Sequence, residues 1–242
     1  MRTIVAVIIG LSIILTGYVI GKAYNFKYSS INTVSVIGGA DFDFSSDMVV
    51  WSAAYSRTNY ELKTAYAALK EDEQQVRAYL IKGGIADSEI VSSAIVIEKQ
   101  FTYSYGENGN VTSTQFAGYQ LRQTVKVNSR SLNKVEKISR EITELLQSGI
   151  ELSSEQPLYY YTKLSDLKIK LLEKATEDAR IRAEAIAKNG DSDLGSLKKA
   201  SMGVFQITGQ YSNEDYTYGG AFNTKDREKT ASITVRLEYE LD

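Results

Sequence analysis

The chain has 242 residues, 43% of them apolar, and a formal net charge of −2 from 28 basic and 30 acidic side chains, enough length for one sizeable core or two small ones. It contains no cysteine and no histidine, which excludes disulfides, thiol nucleophiles, Cys/His zinc sites and any acid–base pair built on imidazole. The two signs of charge are well mixed and form no basic stripe, so nucleic acid is not an expected partner.

The N-terminus carries the strongest pattern. Thr3 to Ile20 (TIVAVIIGLSIILTGYVI) is uncharged and mostly apolar, with Arg2 before it and Lys22 and Lys27 after it. A secretory apolar region runs to about 7–15 residues, whereas a spanning helix needs roughly 17–25. Residues 1–23 are therefore expected to be an uncleaved single-pass anchor. The alternative is a signal cleaved after Ala23, where Gly21 and Ala23 are small but Lys22 is atypical. Residues 24–31 read as a short linker and 32–242 as one extracytoplasmic domain. That domain would be held at the cell membrane if the segment stays, and secreted or periplasmic if it is removed.

Ile31–Phe44 alternates in polarity around Gly38-Gly39 and reads as a strand with a bend. Met48–Tyr55 follows as a second strand, with Val49, Trp51, Ala53 and Tyr55 on one face. Residues 60–82 place Leu62, Ala65, Tyr66, Leu69, Val76 and Leu80 at helical spacing, capped by Asn59 or Thr58 and ended by Gly83-Gly84. Val91–Tyr105 alternates again, ENGN (107–110) is a hairpin turn, and Phe116–Asn128 returns. A second helix is expected over 131–147, stopping at Gly149, and an extended segment over 150–161. The two helices each end in a Gly-Ile step (LIKGGIADSE, LLQSGIELSSE), which a liking of helix ends for glycine explains and which a duplicated strand–helix–strand unit would also produce.

The longest helix is expected over 164–189, followed by a strand over 197–208 and a polar, Gly- and Tyr-rich exposed loop over 209–228. TASITVRLEYEL (230–241) is a strand with one apolar and one polar face. A sheet that is dry on one side and wet on the other is antiparallel and covered on that dry side by helices. The fold class is α+β: antiparallel sheet or sheets covered on one side by about three helices, after an N-terminal transmembrane or signal helix.

Candidate chemistry is sparse. Asp41 and Asp43 share a strand face, as any exposed strand face permits. Asp191 and Asp193 begin like a calcium loop, but Gly195 stands where a third oxygen ligand belongs and no closing Glu follows. No phosphate-binding or nucleophile-elbow motif occurs, so neither cofactor nor metal is expected. In the late loop Tyr211, Tyr216, Tyr218 and Phe222 have no obvious core to join and are candidate partner contacts. Ala175, Ala179, Ala183 and Ala187 recur every four residues along one line of the long helix, flanked by ladders of alternating charge at i,i+4 spacing. Methyl groups do no acid–base chemistry, so this line reads as a packing seam that lets the helix approach a sheet or another helix closely.

Three stretches in this order resemble the SIMPL-domain family, exported bacterial proteins represented by periplasmic immunogenic proteins: VSVIGGADF (34–42), GYQLRQTVKVNSRSLNKV (118–135) and KATEDARIRAEAIAKNGDSDLGSL (174–197). The last carries the family's A-x3-A-x3-A helix with its trailing Leu-Gly. One departure is Ile37, which stands before Gly38 in place of the usual Ser or Thr. The resemblance covers roughly residues 32–242 and implies an envelope- or stress-linked protein that homo-oligomerises, with no agreed catalytic residues. The expected function is thus a membrane-tethered interaction or assembly protein, not an enzyme. Its expected partners are a second copy, the membrane through the N-terminal helix, and an envelope protein or glycan. One alternative is an envelope ligand- or peptide-binding module with an aromatic pocket at Trp51 or Tyr159–Tyr161. Another is a carboxylate-only glycan hydrolase, which would need two carboxylates about 5–10 Å apart in a cleft.

Overall fold

A computed structural model describes the backbone of residues 2–28 and 32–242 and the side chains of residues 9–24 and 32–242. Helix α1 is Arg2–Tyr28; part of the expected linker, residues 29–31, lies outside the described residues. Among the described residues no helix is long and apolar enough to cross a membrane. Of the apolar run, the positions with described side chains are 9–20.

The remainder is α+β, with antiparallel sheets and three further helices. The strands divide between two sheets, each with its own core. The first contains β2 (Met48–Asn59), β3 (Ile90–Ser92), β4 (Val96–Tyr105), β5 (Val111–Ser129), β6 (Glu151–Ser154) and β7 (Leu158–Tyr160). Helix α2 (Leu62–Lys82) and helix α3 (Leu132–Glu141, extended by a 3-10 turn Ile142–Ser148) cover one face. Strand order is β3-β5-β2-β6. Two strand–helix–strand units, β2-α2-β3 and β5-α3-β6, therefore interlock, each placing a strand between the other's two, as in the split βαβ arrangement. The repeated Gly-Ile step marks the same joint in both units. Gly84 (φ 88) and Gly149 (φ 78) are left-handed. The Ile85 and Ile150 amides donate back to the carbonyls of Leu80 and Leu145 at 3.1 and 3.2 Å, which is a Schellman termination with a buried isoleucine after it.

Local departures from the expected elements have local causes. The strand expected over 91–105 breaks at residues 93–95 because Ser93 meets Thr124 with both its amide (2.8 Å to the carbonyl) and its hydroxyl (3.0 Å from the amide). In α2 the buried line is Ala65, Leu69, Asp72, Val76 and Leu80, while Leu62 and Tyr66 are exposed. Tyr66 lies one residue off that line, about 100° around the helix. Neither Asn59 nor Thr58 is the cap: the N-cap is Glu61, whose amide donates to Asn59 Oδ1 at 2.9 Å. Asp72, almost fully buried among apolar neighbours, is met by the Arg57 guanidinium at 2.5 and 2.7 Å, the pairing that a buried charge needs.

The second sheet contains β1 (Thr33–Ser45), β8 (Leu194–Met202), β9 (Gln206–Gly209) and β10 (Glu228–Leu241). β10 is central and pairs with β1 along its whole length, Thr33 opposite Glu240 and Ser45 opposite Glu228. The strand expected over 197–208 is two strands on the same edge of β10, because residues 203–205 stand opposite only 233 and 234 and one residue bulges. Helix α4 (Leu164–Asn189) crosses the inner face. The sheets join where Ser46 donates to the Arg227 carbonyl (2.9 Å) and Asp47 accepts from the amide and hydroxyl of Thr162 (2.7 and 2.6 Å). Buried Lys229 completes the joint by donating to the carbonyls of Tyr159 (2.6 Å) and Asn223 (2.7 Å).

Candidate functional site

Ala175, Ala179, Ala183 and Ala187 are all fully buried beneath the second sheet. A methyl built on Gly38 of β1 would fall onto the Ala175 carbonyl oxygen and the Ala179 amide and lie 2.7 Å from the Ala179 methyl. Helix backbone and strand backbone are therefore in direct contact, which only Gly opposite Ala permits. Asp178, beside the seam, accepts the Gly39 amide at 2.9 Å. That bond and Arg182 hold the Asp178 carboxyl below the usual carboxylate range. The seam organises packing and offers no chemistry.

The loop 210–227 is long, lacks regular structure apart from one bridge between Ile207 and Phe222, and folds back over the outer face of the second sheet. Its own polar side chains hold it. Buried Gln206 accepts the amides of Thr217 (3.3 Å) and Ala221 (2.6 Å) and donates to the Thr217 carbonyl (2.9 Å). Asn223 donates to Glu214 (2.6 Å) and Asp226 (2.8 Å), and Tyr216 donates its hydroxyl to Ser232 at 3.1 Å. The result is a cleft of about 450 Å³ between Tyr216 and Tyr218 on the loop and Asp41, Ser232 and Thr234 on the sheet. Of the four loop aromatics, Tyr216 and Tyr218 line this cleft, whereas Tyr211 and Phe222 are exposed elsewhere. Asp41 faces the cleft and Asp43 does not: the Thr230 hydroxyl donates to Asp43 at 2.6 Å.

The other candidates are structural. Trp51 is buried and its indole N–H donates to Ser154 Oγ at 3.1 Å. Tyr159–Tyr161 are half-buried at the joint between the sheets, with the Tyr161 ring 4.9 Å from that of Phe44. No aromatic pocket forms at either place among the described residues. Asp191 (φ 54) and Asp193 belong to a helix-terminating turn in which Asp193 and Asp242 exchange backbone hydrogen bonds at 3.2 and 3.0 Å. Among the described residues, no group of three carboxylates is placed to hold a metal ion. Paired carboxylates share two clefts: Glu98 and Glu151 with Arg122 on the open face of the first sheet, and Glu141 and Glu144 with three lysines between α2 and α3.

A second exposed feature carries no sequence motif. Pairing of β2 with β5 ends at Asn59 opposite Tyr119, but β4 and β5 continue as a two-stranded arm. The arm leaves the sheet at a bulge where Gly118 has φ 125 and a methyl would lie 2.9 Å from the Asn59 carbonyl oxygen. Phe116 sits at its base, its ring 6.2, 5.9 and 5.1 Å from those of Tyr60, Phe101 and Tyr119. Farther out Tyr103, Tyr105 and Val111 are exposed, as is Ile97 below them. The alternation over 91–105 signals a strand; that Phe101, Tyr103 and Tyr105 find no core depends on where β2 stops.

A family model described as "SIMPL: Protein of unknown function (DUF541)" matches residues 34–239. No curated protein matches the sequence.

Proposed function

Because the chain belongs to the SIMPL family, we propose that it is a membrane-tethered, extracytoplasmic interaction protein that assembles with further copies of itself. The single observation that carries this reading is the arm. A lone two-stranded hairpin is at best marginally stable in water, and this one exposes Tyr103, Tyr105 and Val111, with Ile97 exposed on the same strand just below it. Association would cover these side chains and the unpaired edge of β4 together, the usual remedy for a free apolar edge. The tether is assigned to α1, which carries the apolar run Thr3–Ile20 between basic residues. This reading assigns the chain no reaction.

Light scattering on the full chain in maltoside micelles tests it. A defined oligomer is expected, and the triple variant Ile97→Ser, Tyr103→Ser, Tyr105→Ser should run as a monomer with an unchanged circular dichroism spectrum. A wild-type chain that stays monomeric at high concentration refutes assembly. An oligomer unaffected by the triple variant moves the interface away from the arm.

A further inference from the structure

The cleft beneath the tyrosine loop is built, not incidental. Tyr218 is fully exposed, yet the backbone on both sides of it is pinned, by Gln206 at Thr217 and by the left-handed turn at Gly220 (φ 92), whose amide donates back to Thr217 at 3.1 Å. An aromatic side chain held in water by an ordered loop contributes nothing to the fold. The outer wall of a binding site uses that arrangement, because the ring is presented without a further entropic cost on binding.

The electrostatics select the ligand. Among the described residues that line the cleft, Asp41 is the only acidic one, and there is no lysine or arginine. Its carboxylate makes no hydrogen bond or ion pair with the described residues, in contrast to Asp43 on the same strand face. The faces of aromatic rings are also negative. Carboxylate and rings together repel anions and attract an organic cation. Of the remaining lining side chains Val204 suits an alkyl chain, Thr234 can accept from an N–H, and the Gln206 amide is held by the loop backbone; Ile233 turns its side chain into the core and borders the cleft with its backbone. We propose that this cleft binds an organic ammonium group, with its charge at Asp41 and the tyrosine rings and its alkyl part along Val204 and the sheet.

The floor permits a steric test. Gly39 has ordinary strand geometry, and a methyl there would meet only the Ile233 carbonyl oxygen, at 3.7 Å. A side chain at position 39 would therefore start without a clash at its Cβ and, on the sheet face that carries Asp41, head into the cleft.

The test is ligand-observed saturation-transfer NMR on the full chain in maltoside micelles. The probes are choline for a quaternary ammonium, Nα-acetyl-lysine methylamide for a primary one, and its Nε-acetylated form as a neutral control. Saturable binding of at least one ammonium probe is expected, and the better of the two identifies the ammonium type. Asp41→Asn should weaken binding about tenfold and Tyr218→Ala about threefold, and Gly39→Leu should abolish it. Asp41 and Tyr218 are exposed, so those two variants keep the test decisive should Gly39→Leu lose its fold. Absence of saturable binding, equal binding of the neutral control, or wild-type binding by both Asp41→Asn and Tyr218→Ala overturns the proposal. None of these readouts depends on self-association, which the arm variants report separately.

Discussion

Replacing Ala179 by leucine perturbs the place where α4 lies closest to the second sheet. If the seam held free space, three added carbons would stabilise the fold by about 2 kcal/mol, at ~0.8 kcal/mol per buried CH2. The space does not exist. Ala179 is fully buried, and a methyl built on Gly38 opposite would already lie 2.7 Å from the Ala179 methyl and on the backbone of Ala175 and Ala179. Leucine could fit only if β1 moved away from α4, which would also stretch the Gly39–Asp178 hydrogen bond of 2.9 Å. Overpacking typically costs about 1–3 kcal/mol, and contact with backbone places this site at the upper end. Ala179→Leu should therefore lower the unfolding free energy by about 3 kcal/mol, measured by urea unfolding of the full chain in micelles. Gly38→Ala should cost as much, although it adds a single carbon. Ala185→Leu, on the exposed side of the same helix, should change stability by less than about 0.5 kcal/mol. An Ala179→Leu protein as stable as wild type, or more stable, would refute the close-contact argument.

Three further outcomes follow from the same packing. Arg57→Met should destabilise the first sheet by about 3 kcal/mol by leaving Asp72 charged and buried, and adding Asp72→Leu should restore most of the loss; urea unfolding of the single and double variants checks this. Burial pushes the Lys229 ammonium down to about 8 from the usual 10.5. The unfolded chain then holds this proton longer than the folded one, so a penalty fully present below pH 8 is relieved as pH rises toward 10.5. Stability attributable to Lys229 should rise by on the order of 2–3 kcal/mol across that window, and the rise should be missing when Lys229→Met is compared with wild type by pH-dependent unfolding. Among the described residues, the added methyl of Gly149→Ala meets no neighbouring atom within 4 Å, so its cost should be the left-handed backbone alone, about 1–2 kcal/mol, again read by urea unfolding.

Helix limits and strand faces were legible because they depend on neighbours in sequence. The α4 span of 164–189 follows from its 3.6-residue period, and the inner face of β10 from strict alternation. Where a side chain overrides a period, the reading fails. Asp72 occupies a core position in α2 because Arg57, on a different element, reaches it. Ser93 interrupts a strand because its hydroxyl replaces a backbone partner. The cleft is half legible: the tyrosines of the loop stand out in composition, but Asp41, more than 170 residues earlier, joins Tyr216 and Tyr218 only through the pairing of β1 with β10. Nothing local separates Asp41 from Asp43.

The amino-acid sequence by itself determined the absence of thiol and imidazole chemistry, the α+β class, the wet and dry faces of β10 and α4, and the family. These are properties of composition, of periods spanning a few residues and of motif order. Tertiary structure decided that the strands form two sheets with separate cores, that the β4–β5 hairpin outruns its sheet, and that the alanine line closes on Gly38. Each of these turns on which backbones meet. Hydrogen-bond donors and acceptors are the same on every strand, so pairing is settled by close approach between distant segments, as between Gly38 and Ala179, and that is a property of the folded chain alone.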